Sequence, residues 1–178
     1  MSWSYWQEPV PVAQGPYISN QTPLEQLNIT QDETEYLFYS TSVGNAEPGS
    51  TLSITGRMAN SYLAFLDGVF IGSTFDDEHN MGTVTQNIQM PSTVTSTGVL
   101  TILSGSLGLN NLFNYNQPGT NQEKKGIVGS VTLAGQSITS NGWQHRAFLT
   151  GELLQVYTAQ GASSVPWTPT SGMGLHVM

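Results

Sequence analysis

No cysteine occurs among the 178 residues, which removes disulfide bridges, thiolate catalysis and sulfur-ligated zinc together. Many secreted domains also lack bridges, so this absence leaves the compartment open. Lys and Arg number only four against twelve Asp and Glu, a formal charge of -8. Four cations cannot build the basic stripe that neutralises phosphates, so neither nucleic acid nor an anionic membrane is an expected partner. Charged residues make up 9% of the chain, against roughly 25% in an ordinary globular domain. No long charged helix can be drawn from that supply. Nowhere do 18 apolar residues follow one another, and residues 1–14 hold no basic stretch leading into an apolar one. A secretory signal, if one is used, is therefore expected outside this sequence.

What the chain does contain is Gly, Ser, Thr and Asn in abundance, with 19 glycines. Strands joined by many turns suit that composition. The length fits one domain with tails and is ample for a single core. Two sequons, Asn20-Gln21-Thr22 and Asn28-Ile29-Thr30, fit passage through the secretory pathway, although such tripeptides also arise by chance in Asn- and Thr-rich sequence.

Residues 1–21 mix Trp3, Tyr5, Trp6 and Tyr17 with Pro9, Pro11 and Pro16. That mixture reads as an extended strap or linker. Thr22-Pro23-Leu24-Glu25 offers an N-cap Thr, a Pro at the first helical position and a Glu three residues past the cap, so one short helix is expected through about Ile29. From residue 35 onward, runs rich in β-branched and aromatic residues alternate with turn clusters. They predict strands over 36–42, 51–57, 62–66, 69–75, 83–90, 99–103, 128–133, 144–149 and 153–158. Nine such strands make an all-β antiparallel sandwich over residues 22–160. Asp67-Gly68 between two apolar runs is a two-residue hairpin signal, and Ala134-Gly135 a weaker one. Residues 110–126 lack periodicity and form a long loop in this reading; loops of that length are usually functional or mobile. Residues 161–178 return to Pro, Ser and Gly and are expected to form a tail.

The stretch Leu24-Glu25-Gln26, Asn28, Thr30, Asp32, Glu35-Tyr36-Leu37-Phe38-Tyr39 and Thr41 resembles a pattern that follows the catalytic region of plant-type β-galactosidases of glycoside hydrolase family 35, close to L-E-Q-x-N-x-T-x-D-x-x-D-Y-L-W-Y-x-T. Glu35 stands for the usual Asp and Phe38 for the usual Trp. The hairpin from Ala64 to Gly72, the run Leu100-Thr101-Ile102-Leu103 with Leu107-Gly108-Leu109-Asn110-Asn111, and Gly126, Gly129, Val131, Leu133 and Gly135 resemble further segments of that family. So do Trp143, Leu149, Gly151 and Glu152. The resemblance spans about Leu24 to Tyr157. It implies a jelly-roll sandwich of the galactose-binding-domain-like type, an accessory domain that sits beside a catalytic barrel in the parent enzymes. The family's two catalytic glutamates lie in that barrel, upstream of everything matched, so no catalytic residue carries over. The resemblance also implies galactosides and a glycosidase catalytic domain, in cis or in trans, as partners, and a secretory, extracellular or lysosomal setting. Trp167-Thr168-Pro169 is similar to the start of a following jelly roll.

Glycoside hydrolysis needs two carboxyl groups, one with a raised pKa, about 5 to 9 Å apart. Asp76, Asp77 and Glu78 form the one dense acidic group, and adjacent acids in a turn read better as a solvated loop. The loop is no EF-hand, because position six is not Gly and Asn87 holds position twelve. No cofactor is expected, and a structural calcium at the sandwich edge is left open. His79, His145 and His176 are scattered, with no nucleophile, base and orienter in sight. His145, beside Trp143 in a predicted strand, reads as an exposed or hydrogen-bonded strand residue. Sugar binding needs an exposed aromatic face with converging polar groups. Trp143, Tyr115, Asn110, Asn111 and Asn114 supply these if the long loop folds near the Trp143 strand. The competing reading puts Trp143, with Tyr36, Phe38 and Tyr39, in the core or on a surface that packs against a neighbouring domain.

Overall fold

The computed structural model describes residues 3–11, 17–44, 46–57, 59–75, 83–93, 97–108 and 124–170. In chain order its elements are β1 (Ser4–Tyr5), β2 (Ile18–Asn20), α1 (Gln26–Thr30), β3 (Tyr36–Val43), β4 (Thr51–Arg57), β5 (Asn60–Leu66), β6 (Val69–Phe75), β7 (Thr83–Gln89), β8 (Gly98–Ser106), β9 (Ile127–Leu133), β10 (Gln136–Ser137), β11 (Trp143–Ala147), α2 (Thr150–Leu153), α3 (Ala159–Ser163) and β12 (Thr168–Pro169). The chain divides into two compact units, Val10–Phe148 and a smaller one formed by Met1–Pro9 with Leu149–Met178.

The larger unit is an all-β antiparallel sandwich. One sheet has four strands in the order β10-β9-β4-β7 and the other six, β2-β11-β3-β8-β5-β6. Period-2 alternation explains both sheets. In β4, Leu52, Ile54 and Gly56 point inward while Thr51, Ser53, Thr55 and Arg57 point out, and β5 buries Asn60, Tyr62, Ala64 and Leu66. The inward sets meet as one cluster that includes Leu37, Tyr39, Leu52, Ile54, Tyr62, Leu100, Ile102, Val131, Leu133 and Trp143. A one-residue slip would turn each set to water, which holds the register.

Both hairpin signals are met. Asp67 and Gly68 adopt φ of 49° and 79°, and Ala134 and Gly135 adopt 50° and 76°, as a type I′ turn requires. Eight of the nine expected strands form, with ends shifted by up to three residues. The ninth, over 153–158, does not. Residues 150–153 are helical instead, with Leu154 N–H on Thr150 O and Val156 N–H on Gly151 O. The run Leu-Leu-Gln-Val-Tyr-Thr has strand composition but pairs with no strand among the described residues. In the smaller unit the Glu8 carboxylate accepts from the amides of Thr150 and Gly151, and Glu152 accepts from Leu149 N–H, so the first turn of α2 is capped twice.

Two further expectations change. Three short helices form where one was expected. The segment read as a strap contains β2, which pairs with β11 through Asn20↔Trp143, Ser19↔Gln144 and Ile18↔His145. Thr168–Pro169, in the segment similar to the start of a following jelly roll, forms one strand of a separate two-stranded sheet. Thr168 and Pro169 pair with Tyr5 and Ser4 in the smaller unit.

Candidate functional site

Among the described residues of the larger unit, several buried polar side chains gather under α1. This helix was expected to start on Thr22, but its cap is Glu25, with φ of -63° and ψ of 136°. The Glu25 carboxylate accepts from Leu27 N–H at 3.0 Å, Asn28 N–H at 2.9 Å and Lys125 N–H at 2.7 Å. One side chain thus caps the helix and ties it to the chain entering β9. The capping-box pattern located the helix, but a carboxylate outcompetes a hydroxyl for several amides at once.

Below it, Gln26 is fully buried and spends its amide on both sheet neighbours. Its Nε2 donates to Glu35 O at 2.8 Å and its Oε1 accepts from Ser104 Oγ at 2.8 Å, while Asn60 Nδ2 donates to Ser104 Oγ at 3.0 Å. Tyr39 donates to Leu24 O at 3.0 Å and Tyr62 to Gly126 O at 2.9 Å. Burial pushes both phenols above their ordinary range. They stay neutral donors, and each costs the core little because its hydroxyl is satisfied.

His145 closes the other side. It is 1% exposed. Its Nδ1 lies 2.8 Å from Ile18 O and its Nε2 accepts from Leu24 N–H at 2.9 Å. A carbonyl can only accept, so the proton sits on Nδ1 and the ring is the neutral tautomer. Tyr39 meets the ring edge-on at 5.3 Å. Burial lowers the His145 pKa below its ordinary value, against the raising effect of the Ile18 carbonyl. Of the two expectations for this residue, the hydrogen-bonded one holds, and the exposed one does not.

Trp143, expected as a stacking face if the sugar reading held, is 1% exposed. It faces inward with His145, and its Nε1 donates to Ile138 O at 3.2 Å and Thr139 O at 3.0 Å. Neither face of the indole meets solvent, so a sugar ring has nothing to stack on there. Tyr115, Asn110, Asn111 and Asn114 lie outside the described residues, as do the acidic loop at 76–82, His79 and His176. Tyr39 is in the core, as one of the two expectations for the 36–39 run has it. Phe38 is also buried, though it lies on the opposite face of β3 from Leu37 and Tyr39. Among the described residues, no group of three His, Asp or Glu side chains is placed to hold a metal ion.

The network under α1 went unforeseen because its members are dispersed. Gln26, Asn60, Ser104 and Tyr62 reach one another only after β3, β5 and β8 pair. The inward parity of Trp143, His145 and Ala147 was the one local signal. Chemically the arrangement is a set of clamps: carboxylates, phenols, amide and imidazole are directed at main-chain groups of the same unit.

A two-sheet all-β unit with such clamps defines a β-sandwich domain rather than a catalytic barrel. No protein-family profile matches the chain. It is, however, similar to a segment of several β-galactosidases. It is 29% identical to "Beta-galactosidase 11" of Oryza sativa subsp. japonica over 93% of this chain and 20% of that protein. It is 27% identical to "Probable beta-galactosidase 2" of Dictyostelium discoideum, over 86% and 20%, and 27% identical to "Beta-galactosidase 7" of rice, over 98% and 23%. The chain therefore spans about a fifth of the length of these relatives.

Proposed function

We propose that this chain is a non-catalytic accessory domain of the jelly-roll, galactose-binding-like kind found in family 35 β-galactosidases, and that its task is to brace a catalytic domain supplied in cis or in trans. The observation that carries this reading is the use of its carboxylates. Glu25, Asp67, Glu8 and Glu152 all accept from backbone amides, which is framework chemistry. Similarity to a limited segment of β-galactosidases supports the same reading. Of the two accessory roles weighed from the sequence, bracing is favoured over galactoside binding, because the Trp143 indole is enclosed.

The test has three arms on the purified chain: hydrolysis of a chromogenic galactoside, calorimetric titration with galactose, lactose and a β-1,4-galactan oligomer, and sedimentation with rice β-galactosidase 11 lacking its matching segment. The expected result is no turnover, no saturable sugar binding and a defined complex. Turnover by the chain alone, or sugar binding without complex formation, would overturn the proposal.

A further inference from the structure

Resting on that accessory reading, we propose that the uncovered β5–β6 side of the six-stranded sheet is the surface by which this chain docks onto the catalytic part of a β-galactosidase-like polypeptide. The sheet has an inner face in the core and an outer face whose rows follow from the register. One outer row runs Ser40, Thr101, Phe65, Phe70 and the next runs Phe38, Leu103, Leu63, Ser73. The chain itself covers the β3–β8 end of these rows. Ser40 and Thr101 share a hydrogen bond at 3.1 Å, Thr101 Oγ1 donates to Pro11 O at 3.4 Å, and Phe38, Ser40 and Thr101 are all buried.

At the β6 end the same rows emerge uncovered. Phe70, which ends the first row, is 53% exposed, and Phe75, which pairs with Ser61 in a further row of the same outer face, is 63% exposed. Phe65 and Phe70 stand edge to face, with ring centroids 5.7 Å apart, so the patch is held in shape rather than being a set of loose side chains. Beside Phe70, at the rim of the sheet, opens a hollow of about 220 Å³ lined by Leu66, Asp67, Val69, Ile71, Pro91 and Thr93. The outer-row residues Leu63, Phe65, Phe70 and Ser73 carry no charge, and a rigid apolar ridge beside a pocket is the anatomy of an interface centre. The opposite sheet presents Thr51, Ser53, Thr55, Thr85 and Asn87 outward, a polar surface that water satisfies. The occupant follows from two observations. The uncovered rows continue a face whose other end is already covered, and the relatives carry this segment in chains of which it is about a fifth.

The absence of cysteine allows one environment-sensitive fluorophore per molecule, placed through Phe70→Cys, Phe75→Cys or Thr85→Cys. Each labelled chain is titrated with rice β-galactosidase 11 lacking its matching segment, first shown to be monodisperse and to hydrolyse a chromogenic galactoside. Labels at positions 70 and 75 should shift to the blue and saturate, while the label at 85 stays unchanged. Phe70→Glu should weaken association roughly tenfold or more and Thr85→Glu should not. Phe70→Ser serves as a milder second variant, and thermal unfolding is compared for all of them. A complex that Phe70→Glu and Phe70→Ser leave intact, or one that perturbs only the label at 85, overturns this surface and leaves the accessory reading standing. No complex with any variant overturns both. Self-association through position 70 without the enzyme makes the patch a dimer contact and overturns the proposal.

Discussion

Acid should loosen this domain through His145, and the size of the effect follows from its two hydrogen bonds. The ring is held neutral, with Nδ1–H on Ile18 O and Nε2 on Leu24 N–H. Protonation would place a second N–H against the Leu24 donor, so the folded state resists it and its pKa lies below the ordinary value. In the unfolded chain the imidazole titrates near ~6.5. Below that pH the unfolded state binds a proton that the folded state refuses, so stability is complete above about 6.5 and falls as pH drops toward the depressed folded value. One proton corresponds to about 1.4 kcal/mol per pH unit across that window. Urea unfolding at pH 8, 7, 6 and 5 should show this fall for the native chain. His145→Gln keeps an acceptor for Leu24 but loses the titration. It should be destabilised by about 1–3 kcal/mol at pH 8, with a flatter profile between 8 and 5. His79 and His176 are common to both proteins and cancel in the difference. Parallel profiles for the two proteins would refute the clamp.

Three further outcomes follow from the same network. Tyr62→Phe removes the donor to Gly126 O and should cost about 1–2 kcal/mol in urea unfolding, with the baseline near-ultraviolet spectrum retained. Glu25→Ala leaves three amides without their carboxylate and should cost about 2 kcal/mol. Hydrogen exchange should report it first as lost protection at Leu27, Asn28 and Lys125. Trp143→Phe deprives Ile138 O and Thr139 O of a donor, at about 1–3 kcal/mol. It should leave a calorimetric titration with galactose unchanged, and a selective loss of sugar binding in the folded variant would contradict the enclosed indole.

Much of the sandwich was legible because each sheet has one dry face. Runs of β-branched and aromatic residues over 51–57 and 62–66 identify strands, to which the structure adds Asn60 and Ser61, and Asp67-Gly68 names its turn because both positions need positive φ. Legibility failed where geometry is set at a distance. Residues 18–20 become a strand only because β11 offers them an edge, and 153–158 lose theirs because caps from Glu8 and Glu152 favour a helical turn. The candidate site failed for the same reason. A Trp in a strand is platform or core depending on whether its N–H finds a partner, and for Trp143 those partners are carbonyls four and five residues earlier. The His145 clamp needs Ile18 and Leu24, more than 120 residues upstream.

The bracing role is tested most directly by replacing the matching segment of rice β-galactosidase 11 with this chain and comparing the product with the native enzyme and with the deletion. The chimera should be soluble, hydrolyse a chromogenic galactoside, and lose activity on heating at a temperature above that of the deletion, with Phe70→Glu in the chimera removing the gain. A chimera no more heat-resistant than the deletion would contradict bracing.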